Sequence, residues 1–234
     1  MPNITVNNYP NRQSVHSFYK RNGKRILDFT GALLGLICLL PVLAVLALLL
    51  LIIQQTNPFF LQKRIGKNLV PFYIIKFKTM KDSRNADGNL LPDEQRTTFL
   101  GSLLRSTSLD ELPEIINVLK GDMSFIGPRP WIPDQMATFT HFTQKKRMTI
   151  RPGITGLAQV HGRNNLTFRQ RVYYDLCYSR HLTLWEDIKI LLSTFYKVIK
   201  EEGIRQHPNA LAPKDPQTKG ARGNSKRKFL PPSK

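Results

Sequence analysis

Residues 108–130 read SLDELPEIINVLKGDMSFIGPRP. Two adjacent carboxylates, Asp110 and Glu111, precede a run with the spacing of a short helix. Pro113 suits a first helical turn, because the N–H that proline lacks has no partner there anyway, and Gly121 suits the end. The stretch therefore predicts a helix with an acidic pair at its amino end, where free N–H groups and the helix dipole favour ionised carboxylates.

The chain around this acidic pair is strongly basic. Its 234 residues include 35 Lys and Arg against 16 Asp and Glu, a formal net charge of +19. Such a surface attracts phosphates, anionic lipid headgroups or nucleic acid, and it says nothing about the fold. The two cysteines, Cys38 and Cys177, provide neither a disulfide framework nor a Cys/His metal spacing, which fits a reducing compartment.

An uncharged apolar run at residues 29–53 is the second organising feature. A straight helix of this length would reach about 37 Å, enough to cross a hydrocarbon core of about 30 Å. A secretory signal peptide would be shorter and followed by a small-residue cleavage site, which this run lacks. Pro41 lies in its middle and favours a bend, and each arm, 29–40 and 41–53, would reach only about 20 Å.

The charges that flank this run bear on its topology. Because both flanks are basic, the positive-inside tendency is best met if both ends stay on the cytoplasmic side. A re-entrant helix that bends at Pro41 satisfies this, and from the residues alone a kinked transmembrane helix stays an equal alternative. Asp28 is expected to cap the start of the run or to pair with Arg25 near the headgroups. The basic residues are Lys20, Arg21, Lys24 and Arg25 before the run and Lys63, Arg64 and Lys67 after it.

Shorter patterns predict the elements that follow. Residues 58–64 and 71–78 are aromatic and β-branched, and the Gly-Lys-Asn between them favours a β-hairpin. Thr97 or Thr98 is suited to cap a following helix. Residues 185–200 have the period of an amphipathic helix, whose apolar face we expect in the core, with the lipid headgroup layer as the alternative. That face consists of Trp185, Ile188, Leu192, Phe195 and Ile199.

The acidic pair and three Arg-containing turns favour a phosphate site. An ionised Asp110 can hold Mg²⁺ or attack phosphorus as a nucleophile, although helix capping alone would explain an isolated Asp-Glu pair. Proline beside Arg129 and Arg151 can hold each guanidinium ready for bidentate phosphate binding, and glycine lets backbone N–H groups approach an anion. The turns are GPRP at 127–130, RPGITG at 151–156 and GRN at 162–164.

Four blocks of the sequence resemble those of the bacterial sugar transferases, the monotopic phosphoglycosyl transferases that act on polyprenyl phosphate. The blocks lie in order over about residues 20–200. They are KRILDFTGALLGLICLLP (24–41), NPFFLQKRIGKNLVPFYIIKFKTM (57–80), DELPEIINVLKGDMSFIGPRP (110–130) and RPGITGLAQVHGRN (151–164).

The resemblance implies an enzyme at the cytoplasmic face of the bacterial inner membrane, held there by a re-entrant helix, and it favours that arrangement over the kinked span. Enzymes of this family transfer a sugar 1-phosphate from a UDP-sugar to undecaprenyl phosphate and release UMP, with Mg²⁺ as cofactor. This reaction is the first membrane step of surface polysaccharide or glycoconjugate biosynthesis.

The resemblance also implies roles for single residues. Asp110 corresponds to the nucleophile that forms a covalent phosphosugar intermediate, with Mg²⁺ beside it, and Glu111 to its acidic partner. The cations expected to bind the diphosphate and the acceptor phosphate are Lys76, Arg129, Arg151 and Arg163. The residues expected to shape the membrane hairpin are Lys24, Arg25, Asp28 and Pro41.

Three positions depart from the family pattern. Leu40 replaces the serine that commonly precedes the breaking proline and whose hydroxyl could bond a carbonyl and help the bend. Glu114 stands where glutamine is common. Lys78 stands where arginine is common and lacks the bidentate fork of a guanidinium.

The predicted fold class is α/β, mostly α with a short β-hairpin, joined to a re-entrant helix–break–helix. We divide the chain into a polar lead at 1–19, the membrane hairpin at 20–54, a cytosolic catalytic domain at 55–205 and a basic, disordered tail at 206–234.

A protein of another class would carry the same charge. A membrane-anchored basic protein that binds nucleic acid or acidic lipid is the alternative. The sequence contains no helix-turn-helix, RNP-like or zinc pattern, and a pure binder has no need for Asp110 and Glu111 beside the Arg-Pro turns. We therefore expect no nucleic acid as a partner.

Overall fold

The computed structural model describes residues 18–137, 140–162 and 165–200. The predicted tail at 206–234, nearly all of the predicted lead and Arg163 lie outside the described residues. The described helices are α1 (Lys24–Gln54), α2 (Asp93–Arg96), α3 (Phe99–Thr107), α4 (Glu114–Lys120), α5 (Pro133–Ala137), α6 (His141–Arg147), α7 (Leu157–His161), α8 (Phe168–Arg180) and α9 (Leu184–Ile199). The strands are β1 (Phe59–Ile65), β2 (Pro71–Phe77), β3 (Ser124–Ile126) and β4 (Gly153–Thr155).

Two small sheets accompany the helices. β1 and β2 form the antiparallel hairpin that the sequence predicts, with Phe59 opposite Phe77 and Ile65 opposite Pro71. β3 and β4 form a parallel pair, which the sequence did not predict because three residues are too short for a strand pattern. The described part of the chain is therefore mostly helical with two two-stranded sheets.

Pro41 lies inside α1 without ending it. A proline removes one backbone hydrogen bond, while the bonds on either side can hold the helix together. The arms 29–40 and 41–53 are therefore parts of one helix of 31 residues, and the bend expected at Pro41 within that helix stays a prediction. The re-entrant arrangement stays a prediction.

Much of the apolar surface of α1 is uncovered. Leu34 and Ile37 are 64% and 62% exposed. Among the described residues, α1 and the π-helical turn before it, Tyr19–Gly23, form the one helix that is long and apolar enough to cross a membrane. An exposed apolar face of this extent is typical of a surface that contacts lipid or protein.

Three charged residues near the start of α1 bind the rest of the protein. Lys24 pairs with Asp187 of α9 at 2.5 Å. Arg25 donates hydrogen bonds of 2.7 and 2.8 Å to two carbonyls at the end of α4. Asp28 is buried and accepts from the Ser124 hydroxyl and a backbone N–H of β3. The prediction that Asp28 caps the run or pairs with Arg25 near the headgroups is therefore wrong, because both side chains fasten α1 to the protein.

The segment that follows β3 and the start of β4 lie backbone against backbone, a contact that we call the β3–β4 crossing. A Cβ at Gly127 would lie 2.3 Å from the carbonyl oxygen of Arg151, and one at Gly153 would lie 2.0 Å from the nitrogen of Gly127. The N–H groups of Gly127 and Gly153 donate to the carbonyls of Thr155 and Pro128. The expectation that these two glycines leave N–H groups free for an anion is therefore wrong, because both groups are bonded within this β3–β4 crossing.

The buried side chain of Asn117 joins α4 to the hairpin. Its Oδ1 accepts from the N–H of Ile75 at 3.0 Å, and its Nδ2 donates to the carbonyl of Tyr73 at 2.8 Å. Because Lys76 follows Ile75 directly on β2, this contact sets the position of Lys76 relative to α4.

The apolar face predicted for the last helix is exposed. Trp185, Leu192 and Phe195 are 63%, 64% and 60% exposed, whereas Asp187 and Ile190 are the buried side of α9. The expectation of a core-facing apolar face is therefore wrong, because the core takes the opposite side of the helix. The alternative position, in the lipid headgroup layer, stays a prediction.

Candidate active site

The acidic pair lies on a tight turn between α3 and α4. Ser108 follows α3 with φ = 59°, in the left-handed region, and Leu109–Glu111 form a 3₁₀ turn. Pro113 has helical backbone angles directly before α4, and Gly121 follows α4 with φ = 94°. The predicted helix after the acidic pair is therefore confirmed, together with the glycine that ends it.

Lys76 joins two of the carboxylates near this turn. Its Nζ lies 2.5 Å from Glu111 Oε1 and 3.1 Å from Glu114 Oε1. Arg129 approaches Glu111 Oε1 to 3.4 Å with Nη2. The structure thus brings together Glu111, Lys76 and Arg129, three residues that the sequence analysis placed in one site from separate parts of the chain.

The two glutamates have opposite pKa shifts. Burial acts to raise the pKa of Glu111, but the charges of Arg129 and Lys76 outweigh it, and the pKa lies below its usual value. Burial, reinforced by the charge of Glu111, raises the pKa of Glu114. Glu111 is therefore the anion that balances the two cations, and Glu114 favours its neutral form.

Asp110 differs from its neighbour because no described side chain forms a hydrogen bond or an ion pair with it. Burial, and then the charge of Glu111, raises the pKa of Asp110 to about 6, against weaker opposition from Lys76 and Arg105. The expected stabilisation of the anion at a helix end is therefore outweighed by burial and by the neighbouring carboxylate. At neutral pH the carboxylate is therefore largely ionised, with no partner among the described side chains.

The acidic turn opens into a cavity of about 420 Å³. One part of its lining is charged and the other part is neutral, with apolar side chains from α1 and α9. The charged lining residues are Arg105, Asp110, Glu111, Arg129, Arg147, Arg171 and Asp175. The lining residues from α1 and α9 are Leu39, Thr194, Phe195 and Val198. Such a cavity suits a ligand that is both anionic and partly apolar, or two ligands that meet there.

The backbone around Arg129 is held at every residue. Prolines on both sides restrict its dihedral angles, and four consecutive carbonyls, from Pro128 to Trp131, each accept a hydrogen bond. The donors, in chain order, are the N–H of Gly153 at 3.0 Å, Arg147 Nη2 at 2.5 Å, Arg64 Nη1 at 3.3 Å and the N–H of Ile65 at 3.0 Å. The main chain of the Pro-Arg-Pro segment is therefore fixed, and anion binding by the Arg129 guanidinium stays a prediction.

A buried ion pair underlies this segment. Arg147 Nε lies 2.6 Å from Asp175 Oδ2, and the two side chains are 1% and 2% exposed. The guanidinium of Arg147 also lies 3.9 Å from the ring centre of Trp131, a cation–π geometry. Arg147 is therefore fixed by Asp175 and Trp131 while it donates to the carbonyl of Arg129.

Other predicted cations are placed differently. Arg151 donates from Nε to the carbonyl of Gly121 at 2.8 Å, at the far end of α4, and it does not line the cavity. Its phosphate-binding role stays a prediction, as does that of Arg163, which lies outside the described residues.

The sequence analysis missed several residues that line the cavity. Arg105, Arg147, Arg171 and Asp175 belong to none of the motifs described above. Arg105 lies on α3, directly before the acidic turn, whereas only the fold brings α6 and α8 to that turn. Gln159 also lines the cavity. It lies within the block RPGITGLAQVHGRN, and its place in that block is the sequence signal that could have identified it as a site residue.

The carboxylates of the site can be compared with the ligands that the expected Mg²⁺ requires. In the part of the chain that the structure describes, no three His, Cys, Asp or Glu side chains are grouped as for a metal held by protein alone. Mg²⁺ often takes only one or two carboxylates and completes its shell with water and substrate phosphates. Asp110 offers such a carboxylate beside several cations, so the site fits Mg²⁺ bound together with a diphosphate.

Comparisons with known proteins agree with the family resemblance of the four sequence blocks. A family model described as bacterial sugar transferase matches residues 19–201. The sugar transferase EpsL of Bacillus subtilis (strain 168) is 42% identical over 184 residues, which cover 78% of this chain and 90% of EpsL.

Two further relatives are longer than this chain. Galactosyl transferase CpsE of Streptococcus agalactiae serotype III is 38% identical over 208 residues, covering 80% of this chain and 45% of CpsE. The UDP-glucose:undecaprenyl-phosphate glucose-1-phosphate transferase of Klebsiella pneumoniae is 37% identical over 183 residues, covering 74% of this chain and 39% of the relative. The chain thus spans most of EpsL and less than half of these two.

We expect Asp110→Asn to raise the thermal stability of the protein at pH 8. The folded-state pKa, about 6, lies above the ordinary value of 3.8, so stability falls as the pH rises through this range and stays lower above it. The asparagine variant avoids that loss, and its advantage should vanish below about pH 4. Thermal unfolding from pH 3.5 to 8 in EDTA measures this. Asp87→Asn, at an exposed carboxylate, is the control; an Asp110 variant no more stable than the wild type at pH 8 would contradict the burial of charge at this position.

We expect Asp175→Asn to lower the free energy of unfolding by about 3–5 kcal/mol, because it leaves the buried charge of Arg147 without its partner. Replacing the pair together, as Arg147→Met with Asp175→Leu, should recover most of this loss. Glu186→Gln, at the exposed pair with Lys189, should cost less than about 1 kcal/mol. Denaturant titration measures all three, and equal losses for the single and double changes would show that the ion pair itself is not what matters.

Proposed function

This chain belongs to the bacterial sugar transferase family, and on that basis we propose that it transfers a sugar 1-phosphate from a UDP-sugar to undecaprenyl phosphate and releases UMP. The activity in the name of the Klebsiella pneumoniae relative, transfer of glucose 1-phosphate from UDP-glucose to undecaprenyl phosphate, supports a phosphoglycosyl transferase, and the name of CpsE supports a sugar transferase. The observation that carries the proposal is the carboxylate of Asp110, which pairs with no described side chain, in a cavity lined by arginines. The alternative of a nucleic-acid-binding protein has no support in these relatives.

In the first step, a carboxylate oxygen of Asp110 attacks the β-phosphorus of the UDP-sugar. The bond between that phosphorus and the bridging oxygen breaks, and UMP leaves with the electron pair. The sugar phosphate is then bound to Asp110 as an acyl phosphate. Arg129, which is preorganised by its backbone contacts, is suited to neutralise the charge that develops on the phosphoryl oxygens.

In the second step, a phosphate oxygen of undecaprenyl phosphate attacks the same phosphorus. The bond to Asp110 breaks, the carboxylate is regenerated, and the product is a lipid diphosphate that carries the sugar. Glu111 stays paired with Lys76 and Arg129, so it balances these cations while Asp110 reacts.

Mg²⁺ completes the proposed site. Asp110 would hold it together with the diphosphate, where the ion neutralises phosphate charge. Glu111 already carries two protein cations, so the free carboxylate of the pair is the one suited to a metal.

The membrane brings the acceptor to this site. Leu39 of α1 lines the cavity together with Phe195 and Val198 of α9, so the cavity opens beside the apolar helix. We place α1 in the cytoplasmic leaflet of the inner membrane, in the re-entrant arrangement that the basic flanks favour. The lipid phosphate would then reach Asp110 along the membrane surface.

We expect Asp110→Asn to abolish UMP release, by at least about a thousandfold, because the amide cannot attack phosphorus. The full chain in detergent or nanodiscs, with undecaprenyl phosphate and either UDP-glucose or UDP-galactose, provides the assay. EDTA should stop the wild type, and excess Mg²⁺ should restore it. Asp87→Asn is the matched control and should leave the rate unchanged. Near-normal turnover by Asp110→Asn would refute the role of this carboxylate, and a wild type inactive with every UDP-sugar tried would refute the reaction.

A further inference from the structure

Gln159 is a neutral, buried side chain of the cavity, and the described part of the protein leaves its hydrogen-bonding groups unused. It lies on α7, is 8% exposed and lines the cavity. Neither its Oε1 nor its Nε2 has a hydrogen-bond partner among the described residues. Most buried polar groups have such partners, and an unpaired buried amide costs about 1–3 kcal/mol. A buried amide that faces a cavity without partners is suited to a ligand that supplies them.

The neighbouring wall of the cavity is uncharged. The hydroxyl of Thr194 donates its proton to the carbonyl of Ile190 at 2.7 Å. In the hydrogen bond of 2.7 Å between the hydroxyls of Thr155 and Thr194, the donor is therefore Thr155. Both hydroxyl protons are therefore used inside the protein, and the two oxygens keep only acceptor capacity. The amide of Gln159 adds a donor and a further acceptor to this wall.

The backbone holds Gln159 in a fixed relation to Arg129. Gly156, directly before α7, touches the β3–β4 crossing: a Cβ there would lie 2.1 Å from the carbonyl oxygen of Gly127. Gly127 lies two residues before Arg129. The same crossing therefore positions a charged group and a neutral group in one cavity.

We propose that Gln159 binds the uncharged part of the nucleotide sugar, through a group that presents a hydrogen-bond donor beside an acceptor. The neighbouring hydroxyls of the sugar and the imide edge of uracil both have this chemistry. The phosphates do not, and the arginines of the cavity are suited to them. This inference rests on the proposed function and makes Gln159 a substrate-binding residue within it.

The test uses two variants of the full chain. Gln159→Leu keeps the approximate volume and removes both hydrogen-bonding groups, and Gln159→Glu keeps the shape but removes the donor. Gln95→Leu, at an exposed glutamine of α2, is the matched control. For each protein, UMP release gives kcat and KM for UDP-glucose, UDP-galactose and undecaprenyl phosphate, and inhibition by UMP gives its affinity.

We expect Gln159→Leu to lower kcat/KM for the preferred UDP-sugar by about tenfold to a hundredfold, as the loss of one or two hydrogen bonds predicts. The KM for undecaprenyl phosphate should stay unchanged. A changed preference between UDP-glucose and UDP-galactose with unchanged UMP affinity assigns Gln159 to the sugar. Weaker UMP binding and an equal loss for both UDP-sugars assign it to uracil. Either result supports the proposal.

Thermal stability separates this role from packing. Gln159→Leu should be at least as stable as the wild type, because an unpaired buried amide is removed. A less stable leucine variant, or kinetics and UMP affinity within twofold of the wild type, would overturn the proposal. If the wild type itself releases no UMP, the proposed function fails and the role of Gln159 fails with it, whereas an active wild type with an unchanged variant removes only the latter.

Discussion

The ammonium group of Lys76, held between Glu111 and Glu114, is the contact on which the site depends. It joins the β-hairpin to the turn before α4, and together with Arg129 it satisfies the charge of Glu111. Asp110, one residue earlier, has no side-chain partner among the described residues, and its pKa is raised. Two adjacent carboxylates thus acquire different properties from their surroundings, one a balanced anion and the other a free one.

The β3–β4 crossing is the second constraint, and it is made of backbone. The close contact between Gly127 and Gly153 leaves no room for a side chain at either position. Arg129 follows Gly127 by two residues, and Gln159 follows Gly156, which also contacts Gly127, by three. The buried Arg147–Asp175 pair supports the Arg129 carbonyl. Because the crossing is made of backbone, the charged and neutral binding groups are already in place before a ligand binds.

The sequence predicted the features that local chemistry determines. The hairpin, the helix after the acidic pair and the Pro-Arg-Pro segment each have residue types that favour a single local structure. The parallel β3–β4 pair, the exposed face of α9 and the contacts of Asp28 depend on distant segments, and periodicity cannot show which side of an amphipathic helix the rest of the chain covers. Arg147 and Asp175 are 28 positions apart, so only the fold shows that they form a pair beneath the site.

The most direct test of the central claim, that Asp110 carries the sugar phosphate, is mass spectrometry of the protein after incubation with a UDP-sugar and Mg²⁺ but without a lipid acceptor. The account predicts an adduct of one sugar phosphate, mapped by fragmentation to Asp110, and its loss when undecaprenyl phosphate is added. An adduct on Glu111 or elsewhere, or UMP release that requires the acceptor and leaves the protein unmodified throughout, would contradict it.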